Sequence, residues 1–234
     1  MATLPKLVDA LAVVDGRERA TIEYTARVVR EAGFMPTLKR GGGAAEMDSL
    51  AAANLLIALN AADAPKNAAT AVSVVRFLER SGGADDERIP DPLRAIGSSK
   101  TFGEALKIAI EEAPAIFEVM KQLVDRAFAP DERESQYRQI LLNMSPMKFE
   151  VEIAQTFARF SLVADGFDFP VQWEERFYFN LTGVKDRVAR DYVAKLWSAD
   201  RKVWSRFGIV TLLHISAALA GAASPIEGVE GESA

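Results

Sequence analysis

Six basic side chains, Arg17, Arg19, Arg27, Arg30, Lys39 and Arg40, fall between residues 17 and 40. They meet only three acids there, Glu18, Glu23 and Glu31, in a chain whose formal net charge is −5. Guanidinium and ammonium groups at that density neutralise phosphate, and a planar guanidinium also reads a guanine edge in a duplex groove. Arg27 and Arg30 are three apart, a spacing that puts them on one helix face, with Tyr24 close to Arg27. Thr37, Lys39 and Arg40 lead into Gly41-Gly42-Gly43, where backbone without Cβ atoms approaches phosphate closely. Contact with duplex DNA is therefore expected from Arg17, Arg19, Tyr24, Arg27 and Arg30 in and around a helix, and from Thr37, Lys39 and Arg40 on the loop after it. The competing expectation is a solvated helix face followed by a flexible loop.

The run from Arg27 through Arg30-Glu31, Gly33-Phe34 and Pro36 to Lys39 resembles the second helix and wing entry of the MerR-like winged helix-turn-helix regulators. It is also similar to the N-terminal part of prophage-encoded proteins that pair such a unit with a variable C-terminal region. The resemblance covers about residues 7–47. It implies that Arg27 and Arg30 face the major groove and that Lys39 and Arg40 ride on a wing. GGGAA stands where that family has strand-like residues, and the regulators' long dimerising coiled coil has no counterpart in this sequence.

Other constellations point to blander roles. Lys185, Arg187, Arg190, Lys195, Arg201, Lys202 and Arg206 form a second basic cluster, with Trp197 and Trp204 seven apart. That spacing gives an aromatic ridge on one helix face, expected to pack on neighbouring strands with the charges outward. The sole histidine, His214, lies in IVTLLHISAALAG and reads as a core histidine, which leaves no triad and no metal site. No GxxxxGK[ST] or GxGxxG spacing occurs, and the carboxylate pairs Glu111-Glu112 and Glu174-Glu175 are adjacent, so they point apart. No enzyme activity, catalytic residue, metal or cofactor is expected.

Composition fits an ordinary globular chain: 234 residues, 49% hydrophobic and 26% charged. With no cysteine, disulfide and thiolate chemistry are excluded, in keeping with a cytoplasmic setting. The longest apolar run, Phe207 to Ala223, falls short of the roughly 20 apolar residues of a membrane span.

The elements that must position the basic stretch follow from periodicity. Leu4, Leu7, Val8 and Leu11 mark one helix, and Ile22, Ala26, Val29 and Phe34 a second, parted by Asp15 and Gly16. Asp48 or Ser49 caps a third, deeply buried helix, and Asp63-Ala64-Pro65 opens a fourth along Ala68, Val72, Val75 and Leu78. SGGADDERIPDPLRAIGSS, residues 81–99, loses the helical period and reads as a linker. A helical pattern resumes over residues 101–128, interrupted at Pro114, and residues 131–143 add a short helix.

From Met147 the period becomes two, with Phe149, Val151 and Ile153 alternating with charges. Asp165-Gly166 is flanked by strand-like segments through Phe160, Leu162 and Ala164 and through Phe169, Val171 and Trp173. Residues 184–206 return to helix, and a C-terminal helix runs over 209–219. The expected fold is mainly α: a winged-helix-like helical domain over 1–80, a linker over 81–99, an α+β domain with a small antiparallel sheet over 100–221, and a disordered acidic tail over 222–234.

The function expected is that of a DNA-binding regulator or accessory protein of a phage or mobile element, dimerising through the C-terminal domain. The alternative is a protein-interaction or inhibitor module acting through the acidic middle of the chain, with another protein as its partner.

Overall fold

The computed structural model describes residues 2–37, 44–82, 89–164, 173–181, 190–191, 193–194 and 204–223. The first two predicted helices are α1 (Leu4–Val14) and α2 (Arg19–Glu31), and they bury the expected stripes, Leu7, Val8 and Leu11 on one and Ile22, Ala26 and Val29 on the other. α2 ends on Gly33, whose φ of +83° suits a residue without a Cβ. The Gly33 and Phe34 amides donate back to the Arg30 and Val29 carbonyls at 3.0 and 3.1 Å, so Arg-Glu-Ala-Gly-Phe is a helix-closing motif.

α3 (Ser49–Ala61) is capped by Asp48, whose carboxylate accepts from the Ala51 amide at 2.8 Å. Every residue from Ala51 to Ala61 is buried, the fate of a helix apolar on all sides. Asn54 and Asn60 satisfy their side-chain N–H groups there by donating to the Phe34 and Leu56 carbonyls. A 3₁₀ turn at Pro65–Asn67 opens α4 (Ala68–Val75). Short strands β1 (Ala2–Thr3) and β2 (Glu46–Met47) pair antiparallel across the base of this helical group.

α6 (Phe102–Glu111) follows the shorter α5 (Asp91–Gly97), and α7 (Ala113–Ala127) and α8 (Pro130–Leu141) complete the middle of the chain. Pro114 begins α7 and does not kink a single helix, because the first turn needs no amide there. β3 (Glu79–Gly82), β4 (Met147–Ala154), β5 (Phe157–Ala164), β6 (Trp173–Asn180) and β7 (Trp204–Gly208) form one antiparallel sheet in the order β3-β6-β5-β4-β7. α9 (Ile209–Ala220) closes the described fold, at the predicted place.

Helices cover one face of the sheet. Phe149, Val151, Phe160, Leu162, Phe177 and Phe179 are buried, and Phe102 of α6 meets the Phe160 and Phe179 rings at 5.4 and 5.8 Å. The fold is therefore mixed α+β. The mainly α expectation is corrected because alternation is evident only in β4 and the strands around Asp165-Gly166, while β3 and β7 carry too few alternating residues to be seen.

Three further readings are corrected. The segment 81–99 is no simple linker: β3 pairs with β6, and α5 buries Leu93 and Ile96 completely. Arg80 and Phe102 amides donate to the Lys100 and Leu78 carbonyls, so the chain leaves and returns at one place. Trp204 and Arg206 lie on strand β7 and not on a helix, and Trp204 is 66% exposed instead of packed on the sheet. The β4–β5 connection is Gln155-Thr156, and β5 meets β6 with Ala164 opposite Trp173. Asp165-Gly166, Phe169, Val171, Trp197, most of the second basic cluster and most of the acidic tail lie outside the described residues.

One hydrophobic cluster runs from Leu7 on α1 to Ile215 on α9. α1 packs against α9, and α3 against α6, β4 and β7, so the packing does not part at residues 81–99.

Candidate nucleic-acid interface

α1 and α2 are joined by four residues, Asp15 to Glu18, with Gly16 at φ +75°. Two helices joined by a short glycine turn are the frame of a helix-turn-helix, in which the second helix presents its outer face. The outer face of α2 carries Arg19, Ala20, Glu23, Tyr24, Arg27 and Glu31, all exposed, while Ile22, Thr25, Ala26 and Val29 are buried. Thr25 sits inward because its hydroxyl donates to the Thr21 carbonyl at 2.9 Å.

The expected site residues divide by their partners. Arg17, in the turn, holds Asp15 at 2.5 Å. Arg19 bonds Asp9 of α1 at 2.8 Å and Glu23 one turn along. The Asp9 hydrogen bond, reinforced by the charges of Asp9 and Glu23, raises its pKa above the ordinary guanidinium value. Tyr24 is 43% exposed, and the Arg27 guanidinium stands 5.0 Å over its ring while Nε lies 3.8 Å from Glu31. A guanidinium held over an aromatic ring by the charge of its π face keeps N–H groups for other acceptors.

Arg30 is half-buried and forms no ion pair or hydrogen bond with the described residues. It lines a cleft of about 390 Å³ with Leu4, Pro5, Thr37 and Met47, between the start of α1 and the β2 approach. Arg27 and Arg30 also share a smaller cleft of about 170 Å³ beside Pro5 and Val8, as expected of residues on neighbouring turns. Lys39 and Arg40 lie outside the described residues; the described chain resumes at Ala44 and enters β2, which pairs with β1.

A cation absent from the sequence reading lies at the other end of α2. Arg76, at the C-terminus of α4, stands 5.7 Å from the Phe34 ring and 4.9 Å from Phe77, which is 57% exposed. It pairs with no acid among the described residues, and burial lowers its pKa. No local signal marks it, because Phe34 is remote in sequence.

His214 is 7% exposed on α9, within the apolar helix where the sequence located it. Among the described residues no helix is long and apolar enough to cross a membrane. The chain finds no match among family models, curated proteins or solved structures.

Proposed function

We propose that the protein is a DNA-binding regulator or accessory protein that engages duplex DNA with the outer face of α2 and the basic loop after it. The observation that carries this reading is the α1–α2 pair: a four-residue turn with a left-handed glycine, then a helix whose exposed face holds Arg19, Tyr24 and Arg27. The β1–β2 pairing adds to it by fixing both ends of the segment that contains the basic loop. The acids among the arginines do not oppose it. Exposed ion pairs contribute about 0–1 kcal/mol, so Arg19 and Arg27 exchange Glu23 and Glu31 for phosphate or base edges at little cost. Arg30 has no described partner to give up.

In this reading Lys39, Arg40 and Thr37 bind phosphate, Arg17 and Arg19 approach the backbone at the start of α2, and Arg27 with Tyr24 reads base edges. Fluorescence anisotropy against a randomised duplex pool at about 50 and 200 mM salt tests it. Binding should weaken steeply with salt, and replacing Lys39 and Arg40 by alanine should flatten the log–log slope by about 1.8, at roughly 0.9 per lost phosphate contact. Arg27→Ala should leave that slope nearly unchanged and relax sequence preference, with about 1–3 kcal/mol less discrimination at one base pair. An unaltered slope in the double variant removes the loop from the interface, and no duplex binding at either salt removes the reading.

A further inference from the structure

Among the described residues that line the cleft of about 390 Å³ between the start of α1 and β2, Arg30 is the one charged side chain. The lining is otherwise mostly apolar, with Leu4, Pro5, Pro36 and Met47 beside Thr37. The guanidinium is half-buried and has no acid or hydrogen-bond acceptor among the described residues. An acid attached to an apolar group suits such a place, the acid for the guanidinium and the apolar group for the walls.

The chain itself brings such a segment to this end of the fold. α9 runs antiparallel to α1: its first turns meet Val13 and Val14 at the end of α1, and it also touches β1, which precedes α1. The last turn of α9 therefore lies beside β1, and β1 sets Ala2 opposite Met47 of the cleft. Gly221, at φ +72°, closes α9, and the Ala222 amide donates to the Ala217 carbonyl at 2.9 Å, so the chain turns off the helix axis there. Ala220, Gly221, Ala222 and Ala223 are all exposed. The sequence that follows is SPIEGVEGE, residues 224–232, in which Ile226 and Val229 stand among Glu227, Glu230 and Glu232 with no basic residue. Three to four extended residues span roughly 10–14 Å, about one helix diameter, enough for Ile226 and Glu227 to cross β1 from the end of α9.

We propose that residues 224–232 fold back across β1 onto the Arg30 cleft, with Ile226 against Leu4 and Met47 and Glu227 paired with the Arg30 guanidinium. Charge favours the contact, because residues 17–40 hold six basic residues against three acids and the tail holds acids alone. A short tether gives the tail an effective concentration on the order of millimolar, so a pairing as weak as about 1 mM is substantially formed. On the DNA reading the docked tail is an internal competitor, laid over cations of α2 that would otherwise meet the duplex. The competitor role rests on that reading; the contact does not.

The chain contains no cysteine, so Gly231→Cys accepts a single nitroxide label. In nuclear magnetic resonance spectra of the full chain without DNA, the label should broaden the backbone amide signals of Leu4, Thr37 and Met47. Ile226→Ser should relieve that broadening, and so should Arg30→Gln, which removes the charge from the cleft side. No broadening at these amides overturns the contact. So does broadening that persists unchanged in both variants, the behaviour of a tail that only trails past β1.

Anisotropy with duplex then tests the competition. Ile226→Ser, which leaves the net charge as it is, should tighten duplex binding about two- to tenfold, the factor by which a competitor at about one to nine times its dissociation constant masks a site. Relief of the broadening with duplex affinity unchanged overturns the competitor role alone. No duplex binding by either chain counts against the DNA reading and leaves the spin-label outcome intact.

Discussion

Glu152 occupies a position on β4 where alternation turns a side chain away from the helices, yet it is 1% exposed. The register explains why a charge is kept there. Arg159 of β5 and Arg206 of β7 are its two cross-strand partners, and they approach it to 2.5 and 2.6 Å, with Glu150 a further 3.4 Å from Arg206. One carboxylate thus ties three strands, β4, β5 and β7, on this face. Neither of its oxygens has the angular geometry of a hydrogen bond, so the tie is ionic. Glu152 is the buried member of the group, with Arg159 and Arg206 partly in solvent, so removing the arginines leaves a desolvated and uncompensated carboxylate. Arg159→Met with Arg206→Met should lower the unfolding free energy in urea by about 3–5 kcal/mol, whereas adding Glu152→Leu should recover most of it. A loss below about 1 kcal/mol for the double variant would mean that the triad behaves like an exposed pair.

Gly97 illustrates how one element is seated on another. It ends α5 where that helix meets β6, and a Cβ added there would lie 2.3 Å from the Phe177 ring, which is 2% exposed and has no room to yield. Gly97→Ala should therefore lower stability by about 1–3 kcal/mol through overpacking, read as a fall in the urea midpoint at unchanged slope. The same contact shows why α5 is hidden in the sequence. Its local signal is only Leu93 and Ile96 within a stretch of Gly, Pro, Ser and acids, and what makes it a helix of the core is a ring about eighty residues away. Helices whose signals are local are legible to within a few residues: α3 through its Asp48 cap, α7 through Pro114, and α1, α2 and α6 through apolar stripes. β7 is not, because the apolar spacing from Val188 to Phe207 also fits a helix, while its strand state is set by pairing with β4. At the candidate site the density of cations is legible, and so is the shared face of Arg27 and Arg30. The Arg19–Asp9 bond and the approach of Arg76 to the Phe34 ring are not, because each joins elements that only the tertiary fold brings together.

At the scale of the molecule, the first helices and the last are parts of one core. α1 leans on α9, α3 lies against both α6 and the sheet, and β3 carries the N-terminal part of the chain into the sheet beside β6. An all-helical unit of residues 1–80 would lose the partners of α3, whose residues from Ala51 to Ala61 are buried without exception, and would expose apolar surface on α1, α3 and α4 at once. A core shared between the first helices, the last helix and the sheet couples their unfolding, so the chain should unfold as one cooperative unit. Thermal unfolding followed by far-ultraviolet circular dichroism and by tryptophan fluorescence is expected to give coincident transitions; the tryptophans all lie beyond residue 170, with Trp173 on β6 and Trp204 on β7. The fragment 1–80 made alone should lack a cooperative transition and should bind a hydrophobic dye. Two separated transitions, or a folded 1–80 fragment, would show that α1 to α4 bury enough apolar surface among themselves, and that the contacts to α6, α9 and the sheet join two domains instead of completing one. The distinction bears on the proposed reader: with a shared core, α1 rests on α9, so the α1–α2 pair should neither fold nor bind duplex once residues 81–234 are removed.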